Sequence, residues 1–315
     1  MLFNRKAFHN KLAGLGLLGC LLLLGCASNL SQVNSITERF SDAVTLTNDS
    51  VYLSVSPQIG RVVAFGRVGH QSVIWLRDEQ AVKKAKANGR WPNYGGDKVW
   101  PNIQSQWHEI YDRPWPPDDV IDNQPWQIIN QTPDSLTLQS NVSEQQHLQI
   151  HRMFQLLPGQ ARVQIHNTIT QLAETSYPVH VWSITQVKPP TRTLLHVMNP
   201  SPVSNADERY VWVTLPKKPG KPQWLPDVSA VYHDQTVSQS GKLGTMGQWI
   251  EAIYPTQIFR QSHAVIAGAY YPERASIEYY VGKGYAELET LSPAQVLTPG
   301  QTLEHTVTWE LLSSR

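Results

Sequence analysis

Cysteine is nearly absent from this sequence. The 315-residue chain has only two, Cys20 and Cys26, and both lie close to its start. No thiol follows Cys26, so an intramolecular disulfide cannot stabilise the rest of the chain. Stability there must come from a hydrophobic core, and about 270 residues are enough to bury one.

Excess charge of one sign and long apolar runs are also lacking. The 26 Lys and Arg nearly balance the 25 Asp and Glu, which gives a formal net charge of +1. So neutral a chain lacks the basic surface of nucleic-acid-binding proteins, and we expect no nucleic-acid partner. No apolar run after Cys26 reaches the length of about 20 residues that a membrane span needs. Metal-ligand spacings, phosphate loops and a nucleophile elbow are missing as well, so we predict neither a metal nor a cofactor.

The one strongly apolar segment is at the N-terminus. Three basic residues precede residues 15–25, which are too short to serve as a stable membrane anchor. The segment ends in Leu23-Leu24-Gly25-Cys26, which resembles the lipobox of bacterial lipoproteins. In those proteins the thiol is acylated and the leader is cut off just before it. Residues 17–20 have the same form, but cleavage there would leave an apolar run after the cut, so Cys26 is favoured.

The lipobox resemblance implies a division of the chain and a location. We predict a signal peptide over residues 1–26, a polar tether over residues 27–42 and one folded domain over residues 43–315. Ala27, rather than Asp, follows the cysteine. By the sorting rule of similar enterobacterial lipoproteins, this implies lipid anchoring through Cys26 to the outer membrane, facing the periplasm.

Beyond the tether, the sequence predicts a domain built almost entirely of strands. Short alternating or β-branched runs are separated by turn residues, and only residues 80–87 have helical character. No repeat or break in composition divides the domain. Strand and loop lengths are uneven, which favours a large antiparallel β-sandwich with long irregular loops over a closed barrel. The predicted strands cover residues 43–47, 51–55, 61–65, 72–76, 126–130, 135–139, 148–154, 161–169, 179–185, 249–253, 264–270, 276–280, 285–290 and 305–311.

The stretch from Trp91 to Asp119 is unusual because it combines four tryptophans with several prolines and the pair Gly95-Gly96. Prolines and glycines exclude a regular helix, and the aromatic content argues against disorder. Indole rings stack on the C–H faces of sugars, and nearby polar groups can bind hydroxyls. The stretch is therefore either a binding loop for a polar, ring-shaped ligand or a plug at one end of the sandwich.

Several motifs together resemble the galactose-mutarotase-like superfamily, and within it the branch of proteins that carry the DUF4380 domain. The resemblance implies a large β-sandwich that binds a saccharide in a cleft on one sheet. That fold hosts epimerases, lyases and pure binding proteins, so catalysis does not follow from it alone. The motifs are residues 56–65, 94–101 with Gln104 and Trp107, 115–118, 182–186, 242–244 with Trp249, 287–293 and 297–300.

The resemblance to aldose 1-epimerases suggests catalytic residues. Glu289, in Leu288-Glu289-Thr290, matches the position of the epimerase base, although Thr replaces Pro. His180 falls in the strand that supplies an epimerase histidine, and Lys98 replaces a second histidine as candidate acid. The alternatives are a solvent-facing Glu287 and Glu289 pair, a space-filling His180, and a Lys98 that simply pairs with Asp97.

The same loop and strands supply the predicted substrate-binding residues. Lys98 and Asp97 offer charge, and the indoles offer stacking surfaces. Arg152 lies in the middle of a strand, where its charge needs a partner, so it is either a buried ion-pair member or a ligand fork. Arg61 presents the same choice. The predicted substrate-binding set is Asp97, Trp100, Gln104, Trp107, Trp115, Arg152 and Trp182.

Three functions fit these observations. The first is an envelope lipoprotein that binds a saccharide and catalyses aldose epimerisation or a related reaction. The second is a non-catalytic carbohydrate-binding lipoprotein, and the third is a structural envelope protein with a vestigial site. The absent epimerase histidine weighs against the first, and the charged residues beside the tryptophans weigh against the third.

Overall fold

Two antiparallel sheets form the domain. The computed structural model describes residues 36, 38–198, 209–216, 222–233 and 240–314. Cys26 and the predicted leader therefore lie outside the described residues. The α-helices of the domain include α1 (Glu79–Ala87), α2 (Trp107–Tyr111) and α3 (Asp119–Asp122). The strands are β1 (Val44–Thr47), β2 (Val51–Ser56), β3 (Arg61–Arg67), β4 (Asp97–Trp100), β5 (Gln127–Gln131), β6 (Ser135–Gln139), β7 (Leu148–Leu156), β8 (Arg162–Gln171), β9 (Trp182–Val187), β10 (Arg192–His196), β11 (Val211–Thr214), β12 (Gln223–Leu225), β13 (Ala230–His233), β14 (Lys242–Thr245), β15 (Trp249–Ile253), β16 (Gln257–His263), β17 (Ile277–Gly282), β18 (Tyr285–Leu291) and β19 (Thr302–Ser313).

The sheet order confirms the predicted all-β sandwich. The nine-stranded sheet has the order β1-β2-β3-β4-β9-β18-β17-β14-β11. The ten-stranded sheet has the order β12-β13-β10-β15-β16-β19-β8-β7-β6-β5. Among the described residues, no helix is both long and apolar enough to cross a bilayer.

The core lies between the sheets, where apolar side chains from both meet. Strands β7, β8 and β19 alternate buried and partly exposed residues, because one face packs inward and the other meets solvent. Phe65 of the nine-stranded sheet packs against Phe259 and Trp309 of the ten-stranded sheet, with ring centroids 5.7 and 5.4 Å away. These aromatic contacts join the two layers.

The nine-stranded sheet differs because it is buried on both faces at its centre. Every residue of β2, β4 and β9 is buried. Its outer face must therefore be covered by other segments of the chain. This two-sided burial is what places a site inside the domain rather than on an open sheet surface.

Three sequence predictions about local structure were wrong. Residues 97–100 belong to the central strand β4, so only the remainder of the Trp-rich stretch is irregular or helical. Residues 72–76 form isolated bridges rather than a strand. Residues 264–270 were predicted to form a strand, but the strand in this region is Gln257–His263. Within residues 264–270, Gly268 has a positive φ of 75°, which is not an extended conformation.

A buried ion pair links the two sheets. Arg152 of β7 donates to Asp97 of β4, and both side chains are completely shielded from solvent. Thr185 donates to the second carboxylate oxygen of Asp97 at 2.8 Å, and Arg152 Nε donates to Asn167 at 2.8 Å. Asp97 and Arg152 were predicted to bind substrate, but they bind each other in the interior. The ion-pair alternative for Arg152 is the one that the structure shows.

A second polar group in the interior consists of three histidines. The rings of His263 and His305 lie 5.1 Å apart, and His305 Nε2 contacts the hydroxyl of Thr290 at 3.0 Å. Burial lowers the pKa of His180 to about 3 and that of His263 to about 4. The pKa of His305 is lowered by burial and by the nearby His263 and His180. The three imidazoles are therefore neutral in the folded protein near pH 7.

Replacing Asp97 with Asn should strongly destabilise the fold, because Arg152 would keep its charge in the interior without a carboxylate. Breaking a buried pair in this way costs about 3–5 kcal/mol of unfolding free energy. The matched control is Glu310→Gln, which removes the partly buried partner of the exposed Arg162 and should cost about 1 kcal/mol or less. Urea unfolding measures both. Equal, small losses in the two variants would show that the Asp97 pair does not stabilise the fold.

The histidine cluster predicts that stability falls with acidification. The folded-state pKa values of the three histidines lie below the unfolded value of 6.5, so the unfolded chain binds more protons below that pH. Stability is therefore lost as the pH falls from about 6.5 toward the folded values of about 4 and about 3. Each histidine contributes a slope of about 1.4 kcal/mol per pH unit. Unfolding measured across this range should give a shallower slope for His180→Leu, whereas exposed His70→Gln should keep the wild-type slope. An unchanged slope in His180→Leu would refute the assignment.

Candidate active site

Charged and aromatic side chains converge on the outer face of the nine-stranded sheet. Strand alternation sends Asp97 inward and Lys98 outward, and the same rule sends Thr290 inward and Glu289 outward. Register pairs Lys98 with Ile184, Ile184 with Glu289, and Glu289 with Glu278, so these residues form one row across four strands. We call the outward-facing ionisable residues the acid–base face; they are Lys98, Lys242, Glu278, Glu287 and Glu289.

Glu289 is held on one side and unpartnered on the other. Its Oε2 accepts hydrogen bonds from Trp182 Nε1 at 2.6 Å and from Lys242 Nζ at 2.7 Å. Its Oε1 is buried and has no hydrogen-bond partner in the described part of the chain. The carboxylate is therefore fixed in orientation, with one oxygen available to a ligand.

Lys242 is shared between two carboxylates. Its Nζ lies 3.0 Å from Glu278 Oε2 and 2.7 Å from Glu289 Oε2, and it stands over the Trp182 ring at 4.3 Å. The two glutamates sit directly opposite each other in neighbouring strands, where like charges repel. Burial, with the neighbouring Glu289, raises the pKa of Glu278 well above its usual range, although Lys242 opposes that rise.

Glu287 is suited to exchange a proton near neutral pH. It accepts a hydrogen bond from Gln186 Nε2 at 2.7 Å. Burial raises its pKa to about 7, with Glu289 adding to the rise and Lys98 opposing it. It lies two residues from Glu289 on the same strand face, so their Cα atoms are about 7 Å apart.

Lys98 stands among indole rings. Its Nζ lies over the rings of Trp100 at 4.7 Å and Trp91 at 5.6 Å. Burial lowers the pKa of this amine, and nearby Glu287 opposes that effect. The alternative that Lys98 pairs with Asp97 is wrong, because the two side chains point to opposite faces of β4 and Asp97 binds Arg152.

Five tryptophans cover one end of the acid–base face. We call them the Trp cluster: Trp91, Trp100, Trp107, Trp115 and Trp182. Trp100 contacts each of the other four, at ring-centroid distances between 5.1 and 6.2 Å. Trp100 and Trp107 are 5% and 1% exposed, whereas Trp115 is 39% exposed. Trp115 therefore has the most exposed ring of the four tryptophans in the Trp-rich stretch.

Asp122 of α3 fixes the orientation of the Trp cluster. It accepts hydrogen bonds from Trp91 Nε1 at 2.6 Å and Trp100 Nε1 at 2.8 Å. It also forms a buried ion pair with Arg61 at 2.6 Å. Arg61 is thus an ion-pair member. The carboxylate holds two indoles of the cover against the strand face.

The structure brings only some of the predicted site residues together. Glu289, Lys98, Trp182 and the Trp cluster share the outer face. His180, by contrast, is fully buried, and neither ring nitrogen has a hydrogen-bond partner in the described part of the chain. No hydrogen bond there joins it to the acid–base face, and its catalytic role stays a prediction. Gln104 lies in a short 3-10 helix, exposed, with a long 3.4 Å hydrogen bond to Pro114.

Sequence reasoning missed Glu278, Lys242 and Asp122 as site residues. Glu278 was detectable, because a carboxylate between Ile277 and Tyr279 in a strand needs a cationic partner. Nothing in the sequence indicated which lysine that partner would be. Among the described residues, no group of three or more His, Cys, Asp or Glu side chains is arranged to hold a metal ion.

This two-sheet geometry agrees with comparisons to known proteins. Residues 42–312 match the family DUF4380, a domain of unknown function. The chain belongs to the DUF4380 family. The match spans both sheets and every residue of the acid–base face. No curated protein matches the chain.

The DUF4380 domain shares its fold with solved mutarotase-like structures. A galactose mutarotase-like protein from Lactobacillus casei aligns with a TM-score of 0.59 and 10% identity, covering 85% of this chain and 99% of that one. A putative aldose 1-epimerase from Escherichia coli aligns with a TM-score of 0.52 and 13% identity, covering 86% and 99%. The galactose 1-epimerase of Lactobacillus acidophilus gives 0.51 and 10%, covering 87% and 95%. At these identities the likeness shows the fold alone.

Proposed function

We propose that this protein binds an aldose on the acid–base face and catalyses exchange between its two anomers. The observation that carries the proposal is Glu289, whose Oε2 is fixed by Trp182 and Lys242 while Oε1 has no partner. A general base needs both a fixed orientation and a free lone pair. The shared fold with a galactose 1-epimerase and a putative aldose 1-epimerase supports the choice of ligand.

The chemistry requires one base and one acid. Glu289 Oε1 takes the proton of the anomeric hydroxyl while Glu287 gives a proton to the ring oxygen. The bond between the anomeric carbon and the ring oxygen breaks, and its electron pair stays on that oxygen. The resulting open-chain aldehyde rotates about its carbon–carbon bond, and the reverse proton transfers close the ring on the other carbonyl face.

The pKa of Glu287 determines the pH range of this reaction. With a pKa of about 7, Glu287 holds a proton in a large fraction of molecules near neutral pH. An acid with a pKa near the working pH combines availability with proton-transfer strength. The proposal therefore expects activity to decline above neutral pH, as Glu287 loses the proton that the ring oxygen needs.

Ligand access requires the cover of the site to move. Glu278 and Glu289 have 0% exposure and Lys98 has 3%, so not even water contacts most of their surface. Trp115 is the exposed member of the Trp cluster and belongs to the proline-rich segment over the sheet. Displacing this segment would open the face and leave indole rings free to stack on the sugar.

The same burial favours a second candidate, a carbohydrate-binding protein without catalysis. Lys242 bridges Glu278 and Glu289, and Arg61 pairs with Asp122. Side chains held in this way can form a stable binding surface without taking part in a reaction. The two candidates differ in whether the free oxygen of Glu289 removes a proton from the sugar.

Glu289→Gln should reduce anomer exchange by about a hundred- to ten-thousandfold, because an amide cannot act as a general base. Saturation-exchange NMR over a panel of aldoses measures the rate. Glu310→Gln, which changes a glutamate of the other sheet that pairs with Arg162, is the matched control and should keep the wild-type rate. Equal rates in Glu289→Gln and wild type, or no wild-type rate above buffer, would refute catalysis. Retained sugar binding in that case would leave the binding protein as the function.

We further propose that the protein is an envelope lipoprotein anchored through Cys26 in the outer membrane and facing the periplasm. The lipobox form of residues 23–26 behind a basic and apolar leader supports this. Cys26→Ala should abolish acylation and release the protein from the membrane fraction, as intact mass and fractionation would show. Cys20→Ala is the control and should be acylated normally. Continued acylation of Cys26→Ala would assign the anchor elsewhere.

A further inference from the structure

The amine of Lys98 has no partner inside a site full of carboxylates. Its side chain is 3% exposed, and its Nζ has no hydrogen-bond acceptor in the described part of the chain. The other lysine of the face, Lys242, binds two glutamates. Buried polar groups are normally paired, so an unpaired one within a candidate site indicates a group that meets a ligand.

Burial shifts the amine of Lys98 toward its neutral, reactive form, whereas the indole faces under Nζ favour the ammonium form. Indole rings of Trp91 and Trp100 replace water around Nζ. Loss of water disfavours the ammonium form, so burial lowers the pKa of this group. A lysine desolvated in this way exposes the neutral amine that attacks carbonyl carbon.

Glu287 lies on the same face of the sheet as Lys98 and can donate or accept a proton. Of the charged groups around Lys98, Glu287 acts most strongly on its pKa, and the pKa of Glu287 itself is raised to about 7. Adding an amine to a carbonyl and removing water requires proton delivery to oxygen. A carboxyl group that is partly protonated near pH 7 can supply it.

We propose that Lys98 forms a reversible imine with the carbonyl carbon of an open-chain aldose or a short hydroxyaldehyde. The inference rests on the proposed function in one respect: ring opening on this face would generate the aldehyde beside the amine. It adds a covalent role for Lys98 that anomer exchange does not use. The ligand class is an aldehyde that bears hydroxyl groups.

The reaction balances without an oxidant or a reductant. The lone pair of neutral Nζ forms a bond to the aldehyde carbon, and the carbonyl oxygen takes a proton from Glu287. Nitrogen then loses a proton to the Glu287 carboxylate. That proton passes to the hydroxyl group, which leaves as water while the carbon–nitrogen double bond forms. Addition of water reverses every step and restores the aldehyde and the amine.

Glycolaldehyde with cyanoborohydride tests this directly. Glycolaldehyde carries its carbonyl without a sugar ring, and the added hydride donor reduces an imine to a stable hydroxyethyl amine. Peptide mass mapping of the folded protein at about neutral pH then reports the labelled lysines. We expect Lys98 to be labelled faster than Lys83, although the Lys83 side chain is 63% exposed, because burial lowers the pKa of Lys98 and raises its fraction of neutral amine.

Two variants separate activation from mere accessibility. Lys98→Arg keeps a cation over the indoles and should lose this label while Lys83 is labelled as before. Glu287→Gln removes the proton donor and should slow labelling of Lys98 by about a hundredfold. Removing the Glu287 charge would by itself make Lys98 more often neutral and speed labelling, so slower labelling identifies proton transfer. Circular dichroism confirms that both variants are folded.

The outcomes distinguish this inference from anomer exchange. Labelling of Lys98 at or below the rate of Lys83 would overturn the imine and leave Lys98 as a buried cation packed on indoles. Labelling that is as fast in Glu287→Gln as in wild type would remove Glu287 from the reaction. Fast labelling of Lys98 in a protein that shows no anomer exchange would support the imine and contradict the proposed ring opening. Anomer exchange without labelling of Lys98 would support ring opening and contradict the imine.

Discussion

The bridge that Lys242 makes between Glu278 and Glu289 is the interaction on which the proposed site depends. Two glutamates directly across from each other on buried strands would repel, and burial alone would drive both toward the neutral form. One ammonium at 3.0 and 2.7 Å removes much of that repulsion and fixes the orientation of Glu289. The bridge does not cancel the effect of burial: the pKa of Glu278 is still raised well above its usual range, and the pKa values of Glu287 and Lys98, which lack such a bridge, also shift so that the neutral form is favoured.

The Trp cluster covers the acid–base face and is held in place by a buried carboxylate. Asp122 holds two indoles of the Trp cluster, and its charge is balanced by Arg61 inside the protein. On the opposite face of β4, Asp97 is balanced by Arg152 of the other sheet. Strand β4 therefore carries the ion pair that joins the sheets and also Lys98 and Trp100, so fold and site share one element.

Period-two patterns predicted the fold well and explain where prediction failed. Strands such as β7 and β8 alternate cleanly because one face meets solvent. Strand β4 is buried on both faces and has only four residues, so its surroundings of proline and glycine suggested a loop. Residues 264–270 look apolar enough for a strand, but the paired strand precedes them and is rich in polar residues.

Single site residues could be predicted where the pattern of one strand or a family resemblance identified them. Glu289, Lys98 and Trp182 were identified in this way, and strand alternation assigns them to one face once the strand order is known. Pairing was not predictable, because Arg152 meets Asp97 and Lys242 meets Glu278 across long separations in the chain. His180 has the expected position in sequence and is fully buried, but among the described residues no hydrogen bond joins its side chain to the acid–base face.

A crystal structure of the Glu289→Gln variant with a reducing aldose tests the central claim most directly. The substitution preserves shape and slows turnover, so a bound sugar should be visible. The account predicts an anomeric hydroxyl within hydrogen-bond distance of the residue 289 side chain, the ring oxygen beside Glu287, and an indole of the Trp cluster against the sugar. A sugar bound at another surface, with the acid–base face still closed, would contradict it.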